Sequence, residues 1–79
     1  MPAAAATRVR VEDSTLVPDL ERHLRTAGCL ARRVGRHEVA VSVPGAPSRE
    51  QARREIELYL STWRALMDVS RMRVRQVGR

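Results

Sequence analysis

The chain contains stretches in which apolar and polar residues alternate, a pattern typical of strands that bury one face. In residues 7–12, two valines point to one side while Arg8 and Arg10 point to the other. Residues 37–43 repeat the pattern, with valine at every second position from Val39. Both stretches are therefore predicted to be half-buried strands of one sheet.

A further strand is predicted over residues 29–34, directly before the second of these. Gly35-Arg36 between the two suits a two-residue hairpin with glycine at the first central position. Leu30, Arg32 and Val34 occupy every second position of this strand and share one face, so burying the two apolar residues also turns Arg32 inward. We therefore place this strand at an edge of the sheet, where the tip of a long arginine side chain reaches solvent.

The end of the chain alternates again over residues 71–77, which predicts a fourth strand. One face of this strand carries three arginines, Arg71, Arg73 and Arg75. The residues near its other face are apolar: Met72, Val74 and Val77.

Two segments show the periodicity of amphipathic helices. In the first, the apolar residues fall within one arc and are Leu16, Val17, Leu20, Leu24 and Ala27. Asp13, Ser14 and Thr15 before it offer helix caps, and Gly28 after it suits a left-handed cap. Pro18 is tolerated in the first turn because the N–H groups there lack helical partners.

The second helix carries the strongest periodic signal in the chain. It follows a stiff loop at residues 44–47, and Ser48 is its predicted N-cap. Gln51, three residues later, completes a capping box. The apolar arc comprises Ala52, Ile56, Tyr59, Leu60, Trp63, Leu66 and Met67, and Leu58 points away from it.

The predicted order is strand, helix, strand, strand, helix, strand, in one domain over residues 7–77. Right-handed crossovers would place both helices on one face of a four-stranded antiparallel sheet with strand order 4-1-3-2. This topology resembles the ferredoxin-like α+β sandwich (βαββαβ), including the small regulatory and signal-transducing domains of the ACT and PII types. Residues 24–29 and 55–63 are also similar to a group of short proteins from high-GC bacteria. Neither resemblance matches a ligand motif, so neither implies functional residues.

A length of 79 residues allows one domain with a thin margin of stability. Its predicted core combines both helices and two strands, through Trp63, Ile56, Leu20, Leu24, Val9 and Val41. Residues 1–6 lack the features of a signal peptide and are predicted to form a disordered tail. No apolar run is long enough to span a membrane, and Cys29, the only cysteine, fits a reducing cytosol. We therefore expect a cytoplasmic protein without membrane contact.

Charge adds a candidate binding surface to this picture. The formal net charge is +6, and all fifteen basic residues are arginine. A planar guanidinium group grips phosphate or carboxylate with two hydrogen bonds. The codon usage of a GC-rich genome also favours arginine over lysine. With either origin, the chain is attracted to polyanions.

The predicted sheet concentrates part of this charge on its outer face. The expected anion- or partner-binding residues are Arg8, Arg10, Arg71, Arg73, Arg75 and Arg33, with Glu12, Ala31, Ala40 and Ser42 beside them. Like charges on adjacent strands repel one another unless an anion lies among them, which favours an acidic protein or a nucleic acid as the partner. The alternative is a solvated face that binds nothing. Both large aromatic residues lie on the core arc of a helix, so nucleic-acid binding would be confined to the phosphate backbone and would be salt-sensitive.

No motif of a recognised enzyme class or cofactor site occurs. His23, Cys29 and His37 do not have the spacing of a zinc site. No serine lies in a Gly-x-Ser-x-Gly elbow, and there is no glycine-rich phosphate loop. The sequence therefore predicts a non-enzymatic protein with no catalytic residue, no cofactor and no metal.

Three functions are compatible with these observations. The leading one is a small interaction or regulatory module that self-associates. The alternatives are a nucleic-acid-associated protein that binds phosphates through its arginines, and an accessory subunit of an enzyme encoded elsewhere. A homodimer is expected because a short chain gains core by sharing a surface. The dimer contact would be an edge strand (residues 29–34 or 71–77) or a helix contact through Leu58.

Overall fold

The computed structural model describes residues 6–77 as an α+β fold with a four-stranded antiparallel sheet and two helices. The strands are β1 (Thr7–Val11), β2 (Leu30–Arg33), β3 (Glu38–Ser42) and β4 (Val74–Val77). The helices are α1 (Val17–Thr26), which follows a short 3-10 turn at Ser14–Leu16, and α2 (Arg49–Met67). The predicted class and element content are confirmed. Of the tail predicted at residues 1–6, residues 1–5 lie outside the described part of the chain.

The sheet has the strand order β2-β3-β1-β4, and every neighbouring pair is antiparallel. In the central strand β1, Val9 lies opposite Val39 of β3, and Val11 lies opposite Val74 of β4. Residues directly opposite one another share a face of the sheet. The valines of three strands therefore form one apolar layer, which packs in a single core with both helices.

All six predicted core residues are buried: Trp63 is 1% exposed and the other five are 0% exposed. The indole Nε1 of Trp63 donates to Asp19 Oδ2 at 2.8 Å, which links α2 to α1 at the border of the core. The prediction for Leu66 is wrong, because this residue is 71% exposed. Its position is rotated by about 120° from Leu60 around the helix axis, away from the side that meets the sheet.

Side-chain caps begin the 3-10 turn before α1 and helix α2, whereas α1 itself starts after Leu16 without a side-chain cap. Asp13 Oδ1 accepts hydrogen bonds from the N–H and the hydroxyl of Thr15, at 3.0 and 2.6 Å. Ser48 Oγ accepts from the N–H of Gln51 at 3.1 Å, as predicted. The reciprocal half of the capping box does not form, because the Gln51 amide bonds instead to Glu55 at 3.3 Å.

Both helices end in a Schellman turn with a left-handed residue. After α1 this residue is Gly28, at φ +99°, and the N–H of Cys29 donates to the carbonyl of Leu24 at 2.9 Å. After α2 the left-handed residue is Asp68, at φ +57°. The prediction for Gly28 is therefore confirmed. Neither helix in the described part of the chain is long and apolar enough to cross a membrane.

The hairpin between β2 and β3 differs from the predicted two-residue turn. The N–H of Val34 donates to the carbonyl of Glu38 at 3.0 Å, so the loop spans residues 35–37. The predicted turn requires a positive φ at its glycine, and Gly35 does not adopt one. The backbone carbonyl of the added loop residue, His37, accepts a hydrogen bond from the N–H of Val11 at 2.8 Å and thereby extends the pairing of the chain with β1.

Strand β2 faces the opposite way from the prediction. Cys29 and Ala31 point into the core, whereas Leu30 and Val34 are 64% and 43% exposed. The reason is the close approach of α1, whose Cα atoms come within 8 Å of those of β2; Arg25 Nε of this helix also donates to the carbonyl of Ala31 at 3.0 Å. Small side chains fit beneath the helix at this distance, and the larger pair turns to the outer face. The predicted edge position of the strand is correct.

Candidate functional site

The outer face of the sheet, on the side away from the helices, carries a group of charged residues that we call the arginine face. Its members are Arg8, Arg10, Arg32, Arg73 and Arg75, with the two acids Glu12 and Glu38. All five arginines are exposed to solvent. Their charges are therefore accessible to a partner.

Four of the six residues predicted for binding lie together on this face. The register of β1 with β4 sets Arg10 directly opposite Arg75. Arg8 is two residues from Arg10 on the same strand face. Arg73 lies just before β4, and its carbonyl accepts the N–H of Glu12 at 3.0 Å. The alternation of β1 and of the chain's end was sufficient to predict this grouping.

Of the six residues predicted for binding, Arg71 is one of the two that do not lie on the arginine face. Strand β4 begins only at Val74. The preceding residues form a turn, in which the N–H of Met72 donates to the carbonyl of Val69 at 2.9 Å. The alternation that predicted a strand from residue 71 therefore starts before the strand itself does.

Arg33, the sixth predicted residue, lies on the helix side of the sheet, as the register with β3 requires. Its guanidinium group donates to the carbonyls of Gly35 and Arg36 at 3.1 and 3.0 Å. Ala31, also predicted on the outer face, points into the core. Arg32 takes the outer position instead, because reversing the parity of a strand exchanges its two faces.

The two acids of the face neutralise its charge incompletely. Glu38 lies 3.8 Å from Arg8 Nη1 and 3.5 Å from Arg10 Nη1, through different carboxylate oxygens. Both contacts are longer than a strong charge-assisted hydrogen bond, and exposed pairs of this kind contribute about 0–1 kcal/mol. Glu12 Oε1 accepts the N–H of Arg73 at 3.0 Å. Two glutamates against five arginines leave the face strongly positive.

A shallow groove of about 390 Å³ crosses this face where β4 begins. It is lined by Arg10, Val11, Glu12, His37, Arg73 and Arg75. His37 Nδ1 lies 3.0 Å from the carbonyl of Val11, and because a carbonyl oxygen can only accept, this contact places the ring proton on Nδ1. The groove thus brings three guanidinium groups together beside His37, and these groups are donors suited to a carboxylate or a phosphate.

His37 is a member of this site that sequence reasoning missed. From the sequence, His37 is predicted only to begin a strand, and no functional role is expected for it. Its position after a hairpin, opposite the end of β1, is the signal that places it beside the arginines.

The remaining half of the outer face, over β2 and β3, is mostly uncharged, with Arg32 and Glu38 as its charged residues. Leu30 and Val34 are exposed on it, and Ala40 and Ser42 lie between them and β1. A hollow of about 490 Å³ reaches this strip near Leu30. A cationic strip over β1 and β4 therefore adjoins a less charged strip over β2 and β3. We call its apolar side chains, Leu30, Val34 and Ala40, the apolar strip. Protein interfaces commonly combine such regions.

A larger cleft of about 750 Å³ lies at one end of the sheet, between the end of β1 and the turn before β4. Its lining includes Asp13, His37 and Arg71. The hydroxyl and N–H groups of Thr15 lower the pKa of Asp13 by bonding to its carboxylate. The carboxylate of Asp13 therefore serves as the cap of the 3-10 turn at Ser14–Leu16. Within residues 6–77, no group of three or more His, Cys, Asp or Glu side chains is arranged to hold a metal.

Cys29 is a free, buried thiol at the start of β2. Burial raises its pKa, and the nearby carboxylate of Glu55 raises it further. A raised pKa disfavours the thiolate, which is the reactive form. This environment suits a core residue.

Comparison with known proteins identifies no relative: no protein-family model matches the chain, and no curated protein or solved structure is significantly similar to it.

Proposed function

We propose that the protein is a non-enzymatic interaction module whose arginine face binds an acidic surface of a partner protein. The observation that carries this proposal is the direct opposition of Arg10 and Arg75 on an exposed sheet face. Like charges at such positions destabilise a sheet by about 0.2–1 kcal/mol. A carboxylate of a partner, placed between the two guanidinium groups, would replace this repulsion with two attractive contacts.

The surroundings of the arginines favour a protein over a nucleic acid. The apolar strip around Leu30 and Val34 adjoins the charged strip and suits a partner that offers both apolar and acidic side chains. Across residues 6–77, the outer face carries no Phe, Tyr or Trp side chain on which a base could stack. Nucleic-acid binding therefore remains the alternative. An accessory subunit is a special case of the proposal in which the partner is an enzyme.

We assign the fold to the ferredoxin-like type as part of this proposal. The strand order β2-β3-β1-β4 reads 4-1-3-2 from the β4 edge. The buried residues of both helices belong to the same core as the buried residues of the strands. This arrangement leaves the opposite sheet face open to a partner.

Self-association also belongs to the proposal. A domain of this size buries only about 60% of its unfolded surface, so sharing a surface adds to its stability. On α2, Leu58 and Leu66 are 64% and 71% exposed and lie about two turns apart. A second copy packed on these leucines would leave the arginine face accessible. We place this dimer in the cytoplasm, where Cys29 stays reduced.

Two charge-matched double variants test the role of the arginine face. Arg10→Gln with Arg75→Gln changes the face, whereas Arg22→Gln with Arg49→Gln removes two exposed charges elsewhere. Fluorescence anisotropy measures the binding of a labelled polyglutamate peptide and of a single-stranded oligothymidine of equal charge.

We expect the first double variant to bind the peptide about tenfold more weakly, since two contacts of about 0.7 kcal/mol each are lost. The control variant should lose less than about twofold. Equal losses of peptide affinity in both variants would show that the net charge alone determines binding, which would contradict the proposal. Binding of oligothymidine without binding of the peptide would replace the proposal with the nucleic-acid alternative.

A further inference from the structure

The two edges of the sheet differ in how their backbone groups are used, and the β2 edge is closed by α1. The N–H of Arg33 donates to Glu21 Oε2 at 3.2 Å, and Arg25 Nε donates to the carbonyl of Ala31 at 3.0 Å. Arg25 and Glu21 are themselves joined as an ion pair at 2.9 Å. This ion pair occupies the backbone groups that a neighbouring strand would use. A further strand could pair with β2 only by displacing it.

At the β4 edge, no side chain of residues 6–77 forms a hydrogen bond to the outward backbone groups. Hydrogen-bonded pairs alternate with non-bonded pairs along an antiparallel ladder, and the bond from the Glu12 N–H to the Arg73 carbonyl shows which pairs are bonded. Val74 and Gln76 therefore direct their N–H and C=O groups away from β1. Within residues 6–77, these outward groups have no hydrogen-bond partner.

The side chain of Gln76 does not cover this edge. Its Nε2 donates to the carbonyl of Arg53 at 2.9 Å and to Glu57 Oε2 at 3.2 Å, which holds the side chain against α2. An open strand edge is a template for another strand, and proteins usually block or charge such edges. The charges along the outer side of this edge are those of Arg73 and Arg75.

These two arginines determine which strand the edge can accept. A second copy that paired its β4 around a two-fold axis at Val74 or Arg75 would set arginine against arginine. A segment with aspartate or glutamate at every second position would instead set carboxylates against the arginines. Charge complementarity therefore favours an acidic segment over a second copy of β4.

We propose that the β4 edge binds an extended acidic segment of a partner protein as a fifth strand of the sheet. Hydrogen bonds to the backbone of Val74 and Gln76 provide affinity and set the register, and Arg73 and Arg75 select carboxylates at alternate positions. This inference rests on the proposed function, since it specifies how the acidic partner meets the arginine face.

Two synthetic peptides of identical composition test the inference. One alternates glutamate and valine, and the other has its glutamates in a single block. Both carry the same charge, but only the alternating peptide can turn all its carboxylates to one face while its backbone pairs with β4. Hydrogen exchange of ¹⁵N-labelled wild-type protein measures protection of the Val74 and Gln76 N–H groups. We expect the alternating peptide to slow their exchange at least tenfold and to bind about tenfold more tightly than the block peptide.

The outcomes separate the two proposals. Equal binding of both peptides, without protection of these two N–H groups, overturns the fifth strand and leaves the proposed function intact. Failure of both peptides to bind refutes the proposed function as well.

A matched pair of variants at Gln76 isolates the backbone contribution. Gln76→Ala and Gln76→Pro both lose the bonds to α2, but only proline removes the outward N–H and fills its place with a ring. We expect the alanine variant to bind the alternating peptide within about twofold of wild type, and the proline variant about tenfold more weakly. Equal affinities in the two variants overturn the inference. The exchange measurement on wild-type protein does not depend on either variant folding.

Discussion

Replacing Trp63 tests how this small fold is held together. Its side chain is 1% exposed and is the largest of the fully buried side chains. Truncation to alanine in a close-packed core costs about 3–5 kcal/mol. At about 0.05–0.15 kcal/mol per residue, a chain of this length is stabilised by roughly 4–12 kcal/mol in total. Trp63→Ala is therefore expected to lose a large part of the stability or to unfold.

A second substitution separates the hydrogen bond of Trp63 from its packing. Trp63→Phe keeps most of the apolar contact but removes the N–H that donates to Asp19 at 2.8 Å. A hydrogen bond to a charged acceptor contributes about 1.5–3 kcal/mol. Asp19 is only partly buried, so its carboxylate regains water when the donor is lost. We expect a coupling of about 1 kcal/mol between Trp63→Phe and Asp19→Ala in a double-mutant cycle.

Urea unfolding followed by far-UV circular dichroism measures these free energies, because the variants lack the tryptophan fluorescence signal. A Trp63→Ala variant within about 1 kcal/mol of wild type would refute the assignment of this residue to the core. A coupling below about 0.3 kcal/mol would show that the bond between Trp63 and Asp19 does not contribute to stability.

Two further predictions concern the cap before α1 and self-association. Bonds from Thr15 lower the pKa of Asp13 below 3.8, so the stability they add is present above that unfolded-state value and is lost as the pH falls through the folded-state pKa. Thr15→Val should therefore destabilise the protein near neutral pH and progressively less below about pH 4 in urea titrations; a pH-independent effect would contradict the cap. The proposed homodimer predicts a sedimentation mass near twice 8.9 kDa, reduced to 8.9 kDa by Leu58→Glu. A monomeric wild-type protein at micromolar concentration would refute it.

The central strands were predictable because only one of the two alternating sets of residues in each strand is apolar enough to be buried. Val9 and Val11 alternate with arginines, so burying one set exposes the other without conflict. The caps at Gly28 and Ser48 were predictable for a different reason. Each depends on backbone groups within a few residues, so local sequence carries the information.

The orientation of β2 was not predictable, because both alternating sets of residues in this segment contain apolar side chains, and either face could be the buried one. Leu30 and Val34 are larger than Cys29 and Ala31, and hydrophobicity alone favours burying the larger pair. The space beneath α1 admits the smaller pair instead. That space depends on how closely a distant segment packs, which periodicity does not encode. The exchange of Arg33 for Arg32 on the arginine face follows from the same reversal.

The limits of β4 were unpredictable for a related reason. Residues 71–75 alternate strictly. The Schellman turn at Asp68 and the turn closed by Met72, however, reverse the chain before pairing with β1 begins. Alternation shows that a segment is compatible with a strand, whereas pairing also needs a neighbour within hydrogen-bonding distance. Arg71 therefore lies beyond the strand.

The codon usage of a GC-rich genome can account for arginine in place of lysine, but not for where the arginines lie. Arg25 and Arg33 bond to backbone carbonyls of their own fold at 3.0–3.1 Å. Arg10 and Arg75, by contrast, oppose one another across two strands. An acid at either position would convert this repulsion into an attractive cross-strand pair worth about 0.2–1 kcal/mol, a useful gain for a domain with a thin margin of stability. Two arginines at these positions forgo this stabilisation, which is the trade-off that the proposed binding of an acidic partner predicts.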